Sequence, residues 1–274
     1  MGSPQNVGRP PVPRGPVGAG PGRPVRRPTR AARRGPVTFT RDELLGIART
    51  HVVSRSDFPF LVHRDALGPF LALRRAAARA GIDLWPVSAF RDFDAQVRIW
   101  NEKWTGRRAL LARDGRRLDA AALTPRQRVD AILAWSAAPG ASRHHWGTDL
   151  DVYDRAAVPA DYRPQLLVAE YVADGPFAAL GRWLEAHMTD HGFYRPYRRD
   201  LGGVQPEPWH LSHFPTAREA SRRLRLATLK GVIGAAPIEG RAALLRRLPT
   251  IYARYVRTVE PPPGSRRALP LTRR

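Results

Sequence analysis

Ser142-Arg143-His144-His145-Trp146-Gly147-Thr148-Asp149-Leu150-Asp151 decides how this chain is read, with Glu207-Pro208-Trp209-His210 as its distant complement. The two segments offer imidazoles and carboxylates, and only a fold can bring them together. Two histidines, one aspartate and a nearby free carboxylate are the inventory of a catalytic zinc site: three protein ligands, an open position for water and a base. Neutral imidazole nitrogen and carboxylate oxygen both suit a borderline-soft cation. Glu207 lies three residues before His210, close enough to act beside a ligand without being one. Pro208 biases that segment toward extended structure, so it is not the helical His-Glu-x-x-His arrangement. On a strand Asp149 and Asp151 share one face, and spacing alone does not choose between them as ligand.

The first segment fits Ser-x-His-x-x-Gly-x-x-x-Asp and the second fits Glu-x-Trp-His. Ser88-Ala89-Phe90-Arg91, with Gln96 beyond it, looks like a Ser-x-Tyr-Arg segment, and Gly192-Phe193 resembles the Gly-Phe before the last motif. Over residues 85–215 the chain resembles the zinc D,D-carboxypeptidase family typified by VanY, whose fold also resembles the Hedgehog signalling domain. The resemblance implies His144, Asp151 and His210 as ligands of one zinc ion per chain. It implies Glu207 as general base toward zinc-activated water and Arg91 as the oxyanion donor. Ser142 and Gln96 become substrate contacts. The implied reaction is hydrolysis of the terminal D-alanyl bond of a peptidoglycan stem peptide or muropeptide, with D,D and L,D cleavage both open. Phe90 stands where the family has Tyr, and Asp149 where it has a small residue. Asp149 then reads as an acceptor that orients a ligand imidazole. His145 is an extra imidazole with no family role.

Alone, each segment has a plainer reading. A histidine near a glycine is usually structural, and Trp146 and Trp209 read as packing residues. Arg91 is one of 44 arginines. Three segments in this order are what make the metal site the better reading.

The chain has 274 residues and a formal net charge of +22. Residues 1–36 hold eight arginines and no acid, among many prolines and glycines, and read as a disordered basic tail. Residues 218–274 hold 14 basic and 3 acidic residues, leaving 24 and 21 for residues 37–217. The basicity therefore belongs to the ends. Such ends attract nucleic acid or anionic polymers in principle. Arginine has displaced lysine, which occurs only at 103 and 230, and the N-terminal tail lacks interleaved aromatics, so the pattern argues against nucleic acid as partner.

Residues 1–36 contain no apolar run of 7–15 residues, so no secretory signal is visible. The family's substrate lies in the cell envelope, and cell envelope and cytoplasm both stay open. No stretch approaches the roughly 20 apolar residues of a membrane span. The absence of cysteine permits an oxidising compartment.

The pattern of elements predicts helices from the Thr40 capping box to about Thr50, over 65–80, 92–104, from Pro125 to before Pro139, over 177–187 and 217–231. Strands are predicted over 82–90, 148–153 and 209–213. Leu244, Leu248, Ile251, Tyr252, Tyr255 and Val256 make a further amphipathic helix with a break at Pro249. The expected domains are a tail at 1–36, a catalytic domain at 37–216, a C-terminal helical extension at 217–260 and a tail at 261–274. The expected class is α+β, a small, mostly antiparallel sheet flanked by helices. Two other functions stay in view: an inactive Hedgehog-like zinc-binding interaction module, and a basic nucleic-acid-binding protein.

Overall fold

The computed structural model describes residues 38–264. The expected N-terminal tail, and most of the expected C-terminal one, lie outside the described residues. The described chain opens with α1 (Arg41–Leu44), then β1 (Val52–Arg55), β2 (Phe58–His63) and α2 (Arg64–Arg79). Next come β3 (Leu84–Ser88), α3 (Phe93–Trp104), the short β4 (Leu110–Leu111) and β5 (Arg117–Leu118), and α4 (Pro125–Ala134). A 3₁₀ turn, Arg143–Trp146, leads into β6 (Asp149–Asp154). After α5 (Ala178–His187) follow β7 (Phe193–Tyr194), β8 (His210–His213), α6 (Phe214–Arg223) and α7 (Leu226–Ala235). The described chain finishes with α8 (Arg241–Arg246), α9 (Leu248–Ile251) and a π-helical turn, Tyr252–Arg257.

β3, β6, β8 and β7 form one sheet in that order, with every pairing antiparallel. The class is α+β, as the sequence predicts. Strand alternation sorts the side chains of β6. Leu150 and Val152 join Leu211, Phe70, Phe177 and Phe193 in a core between the sheet and helices α2 and α5. Asp149 and Asp151 face the other way. Register then places Asp151 directly opposite His210, and Asp149 opposite Ser212.

Three predicted helices end differently. α1 is a single turn, not a helix to Thr50, although both hydrogen bonds of the Thr40/Glu43 capping box form. Gly46 stops it at φ +74°, and a Cβ there would sit 2.4 Å from His145 Nδ1. The predicted helix over 217–231 is two helices, α6 and α7, broken at Leu224 and Arg225, both extended. Pro249 starts α9 instead of kinking a longer helix.

Residues 217–255 contribute side chains to the interior of the domain. Ala217, Leu229, Ile233, Leu244, Leu248 and Ile251 share a second core with Phe39, Trp100, Leu133 and Trp146. Trp100 Nε1 donates to Glu239 O at 2.9 Å, and the Asn101 amide bridges Pro237 O and Glu239 N. A buried indole N–H needs such an acceptor, so α3 and the C-terminal helices are fixed together. Among the described residues no helix is long and apolar enough to cross a membrane.

Candidate metal centre

The 3₁₀ turn 143–146 ends at Gly147, at φ +65°. A Cβ there would meet Val52 Cγ1 at 2.4 Å and the His63 backbone nitrogen at 2.9 Å. Glycine is what lets the chain reverse from the turn carrying His144 into the strand carrying Asp151.

His144, Asp151 and His210 are all buried and offer ligand atoms within 4.8 Å of one another. Their partners fix the tautomers. His144 Nδ1 is 2.8 Å from Ala89 O, a carbonyl that only accepts, so Nδ1 carries the proton and Nε2 faces Asp151 Oδ2 at 3.2 Å. His210 Nε2 donates to Asp149 Oδ1 at 2.9 Å. Its Nδ1 faces Asp151 Oδ1 at 3.2 Å and Glu207 Oε2 at 3.1 Å. Asp151 Oδ1 is buried with no hydrogen-bond partner. Lone pairs of two imidazoles and two carboxylates thus converge, and such a set repels itself unless a cation sits between. The donor set fits a divalent metal.

The electrostatics agree. Burial opposes charge on His210, but the carboxylates of Asp149, Asp151 and Glu207 around the ring outweigh it and hold its pKa well above the ordinary value. Burial would raise the Asp151 carboxyl; the His144 and His210 imidazoles reverse this and hold it far below the usual range. Asp149 is likewise pushed up by burial and held low by the Arg143 charge, His210 and Thr148.

Asp149 is a hub beneath the centre. Oδ1 accepts from Arg143 Nε at 2.7 Å and from His210 Nε2, and Oδ2 accepts from Thr148 Oγ1 at 2.5 Å. Its oxygens are taken up by Arg143, His210 Nε2 and Thr148, and the carboxylate in the cluster with His144 and His210 is that of Asp151. Arg143 is buried, donates to Ser212 Oγ at 2.7 Å and lies over the Trp146 ring. No motif signalled Arg143 beforehand; its place shows only once Asp149 is known to be fully buried.

Arg91 leaves β3 at the edge of the centre. Its backbone N–H donates to His144 O at 3.1 Å. Nη1 donates to Gln96 Oε1 and Nη2 to Ser88 Oγ, both at 3.0 Å. Burial pulls this guanidinium below its ordinary value, and attraction to Asp151 and Glu207 opposes the shift. Gln96 is fully buried, and its Nε2 donates to Ala137 O at 2.8 Å. It is absent from the cavity wall, unlike the substrate contact expected of it, because both ends of its amide are spent on holding Arg91 and the 136–137 turn. Ser142 does line the cavity.

His145 is structural. Nδ1 donates to Arg91 O at 2.7 Å and Nε2 accepts from Gly140 N at 3.2 Å. Burial pushes its pKa down to about 3, so it stays neutral while pinning Arg91 to the loop.

The centre opens into a cavity of about 310 Å³. Arg91, Ser142, His144, Asp151, Glu207 and His210 line one end. Tyr197, whose ring packs edge-on 5.0 Å from that of His210, lines it too. Ile251, Tyr255 and Val256 of the C-terminal segment supply an apolar wall. The adjacent π-helical turn is the kind of irregularity that concentrates at functional sites. Trp146 and Trp209 are core residues, as expected.

A family model described as VanY, D-alanyl-D-alanine carboxypeptidase, matches residues 60–216. The chain belongs to the VanY family. Membership makes it a peptidase of peptidoglycan peptides. Among relatives, an uncharacterised protein of Haemophilus influenzae is 32% identical over 118 residues, 42% of this chain and 90% of that protein. A second from the same organism is 40% identical over 103 residues, 36% of this chain and 70% of that one. Among solved structures, VanYB in complex with D-alanine-D-alanine aligns at 20% identity and a TM-score of 0.44, covering 67% of this chain and 88% of that one. The LdcB LD-carboxypeptidase aligns at 18% identity and a TM-score of 0.44, covering 75% and 78%. The VanY-family match ends at Thr216, so the apolar wall of Ile251, Tyr255 and Val256 lies outside it.

Proposed function

We propose that this chain is a zinc D,D-carboxypeptidase that removes the terminal D-alanine of peptidoglycan stem peptides. His144 through Nε2, Asp151 and His210 through Nδ1 are the ligands, and Glu207 is the general base. The observation that carries the reading is the convergence of these acceptor atoms, with Asp151 Oδ1 buried and unpartnered, at the end of a cavity that also presents Arg91. A structural metal site needs neither Glu207 nor Arg91, and that favours an enzyme over an interaction module.

Bound there, zinc supplies Lewis-acid chemistry: it lowers the pKa of water and polarises a carbonyl. The protein does the rest. Asp149 and Ala89 O hold the two imidazoles in the tautomers that leave a lone pair facing the centre. Glu207 Oε2, beside His210, takes the proton from the attacking water and delivers it to the leaving amine. Arg91 keeps N–H donors free after bonding Ser88 and Gln96, and aims them at the oxyanion. Its two props mean little reorganisation is required as charge develops.

Glu207→Gln separates base from ligand. It should keep one zinc per chain and lower turnover of a stem pentapeptide by roughly 10²–10⁴-fold. Loss of zinc would make Glu207 a ligand, and unchanged turnover would remove it from the chemistry.

A further inference from the structure

Glu207 stands on backbone that no regular element holds. Between β7 and β8, residues 195–209 form neither helix nor strand. Within this loop the Glu207 N–H donates to Tyr197 O at 2.9 Å, and the His210 N–H closes a turn onto Glu207 O at 3.2 Å. The place of the Glu207 carboxylate beside His210 Nδ1 therefore depends on what holds residues 196 and 197. A displacement of about 1 Å at a reacting group costs roughly 10²-fold in rate, so that hold bears on turnover.

Residues 252–260 supply it. The Glu260 N–H donates to Pro196 O at 2.8 Å. Its carboxylate accepts from Arg199 Nε at 2.9 Å and Nη2 at 3.1 Å, a two-point pair that fixes direction as well as distance. Glu260 thus bonds one carbonyl, that of Pro196, and Glu207 bonds the next, that of Tyr197. Arg254 Nε donates to Gly202 O, and a Cβ on Gly203 would lie 2.5 Å from Arg254 O, so loop and π-helical turn meet backbone to backbone. From α5, Glu185 takes Arg195 and Arg198, which flank Tyr197 together with Arg199.

The local sequence prepares Glu260 for this contact. Pro261 follows it, and a residue before proline is biased to extended backbone, which leaves the N–H free of any helix. Residues 218–274 hold only three acids, and this one is spent on the loop that carries Glu207. An ion pair to an arginine that is 50% exposed adds little stability, so placement is what the pair contributes. The VanY-family match includes the loop but ends before residues 252–260.

We propose that residues 252–260 brace the general base, with Glu260 as the positioning residue that acts on Glu207 through Pro196, Tyr197 and Arg199. This rests on the reading of Glu207 as base, but the hold on the loop is measurable without turnover.

The test compares zinc-loaded wild type with Glu260→Arg, or Glu260→Ala if the first variant folds poorly. Hydrogen exchange of the peptide spanning residues 196–207 should speed up about tenfold or more, while peptides from β6 keep their rate. Zinc should stay at one per chain. On a stem pentapeptide kcat should fall about tenfold to a hundredfold, with KM within about twofold. Arg199→Glu combined with Glu260→Arg restores the ion pair with its charges exchanged, and should recover most of both losses. In a Glu207→Gln background Glu260→Arg should cost little further rate, since the two residues act as one unit. Glu219→Arg, which breaks a pair with Arg223 inside α6, should change neither readout. Unchanged exchange over residues 196–207 overturns the brace. So does an equal kcat loss with Glu207→Gln already present, a charge exchange that rescues nothing, or an equal effect from Glu219→Arg. Faster exchange in a protein whose wild type hydrolyses no stem peptide overturns the peptidase reading and leaves the hold on the loop standing. Unchanged exchange with an active wild type does the reverse.

Discussion

Asp149→Asn perturbs the metal centre without touching a proposed ligand. The carboxylate balances a buried guanidinium through the 2.7 Å contact with Arg143 and orients His210 through the 2.9 Å contact with Nε2. Asparagine keeps the volume and one carbonyl oxygen but removes the charge, and its amide nitrogen must face donors. Arg143 would retain Ser212 Oγ and the Trp146 ring, neither of which is an anion. Breaking one side of a buried ion pair costs about 3–5 kcal/mol. Asparagine preserves a hydrogen bond, so about 3 kcal/mol is the expected loss, or roughly 6–12 °C in Tm for a domain of this size. Metal affinity should fall about 10–100-fold, because the His210 tautomer is no longer enforced by a carboxylate. Denaturant unfolding with a chelator present reads the first effect, and competition for zinc against a chromophoric chelator reads the second. Stability within about 0.5 kcal/mol of wild type together with unchanged zinc affinity would refute the hub role. Complete loss of zinc, with Asp151→Asn still loaded, would make Asp149 the ligand.

Arg91→Ala should retain zinc and lower kcat by roughly 10²–10³-fold, and Gln96→Leu should lower kcat with KM little changed, by a smaller factor since only the prop is lost; steady-state kinetics on a stem peptide would show otherwise if Gln96→Leu acted chiefly on KM. Gly147→Ala should cost at least about 1–2 kcal/mol from the left-handed backbone alone, with the contact to His63 N adding to it, and an unchanged melting curve would contradict the fit of that turn. His63 is held down to about 4 by burial. The unfolded histidine takes a proton near 6.5 while the folded one does not, so stability is full above 6.5 and falls as pH drops toward 4. Between pH 7 and 5 the wild type should therefore lose about 2 kcal/mol more than His63→Asn in urea unfolding with chelator, and equal losses would show that His63 is not buried neutral.

What could be read from the sequence was what is local. A ligand motif fixes both the chemistry and the strand that bears it, so the sheet and the convergence of His144, Asp151 and His210 were accessible before any fold was seen. Alternation along β6 even put Asp149 beside Asp151, and its bond to His210 follows from that. Gln96 misleads because residue type and spacing do not reveal which way a side chain turns. Only the buried contacts with Arg91 and Ala137 show it to be a prop. Arg143 was hidden among 46 basic residues, where charge alone carries no information. The C-terminal helices were legible as amphipathic, but their partner was not. The link from Trp100 to Glu239 spans 139 positions, and no periodicity encodes it.

The most direct test of the central claim is mass spectrometry of a stem pentapeptide and the corresponding tetrapeptide after incubation with protein loaded with one zinc per chain. The metal centre described here predicts tetrapeptide plus free D-alanine from the pentapeptide, with the tetrapeptide left intact and chelation stopping the reaction. A pentapeptide that survives intact with zinc stoichiometrically bound would contradict it.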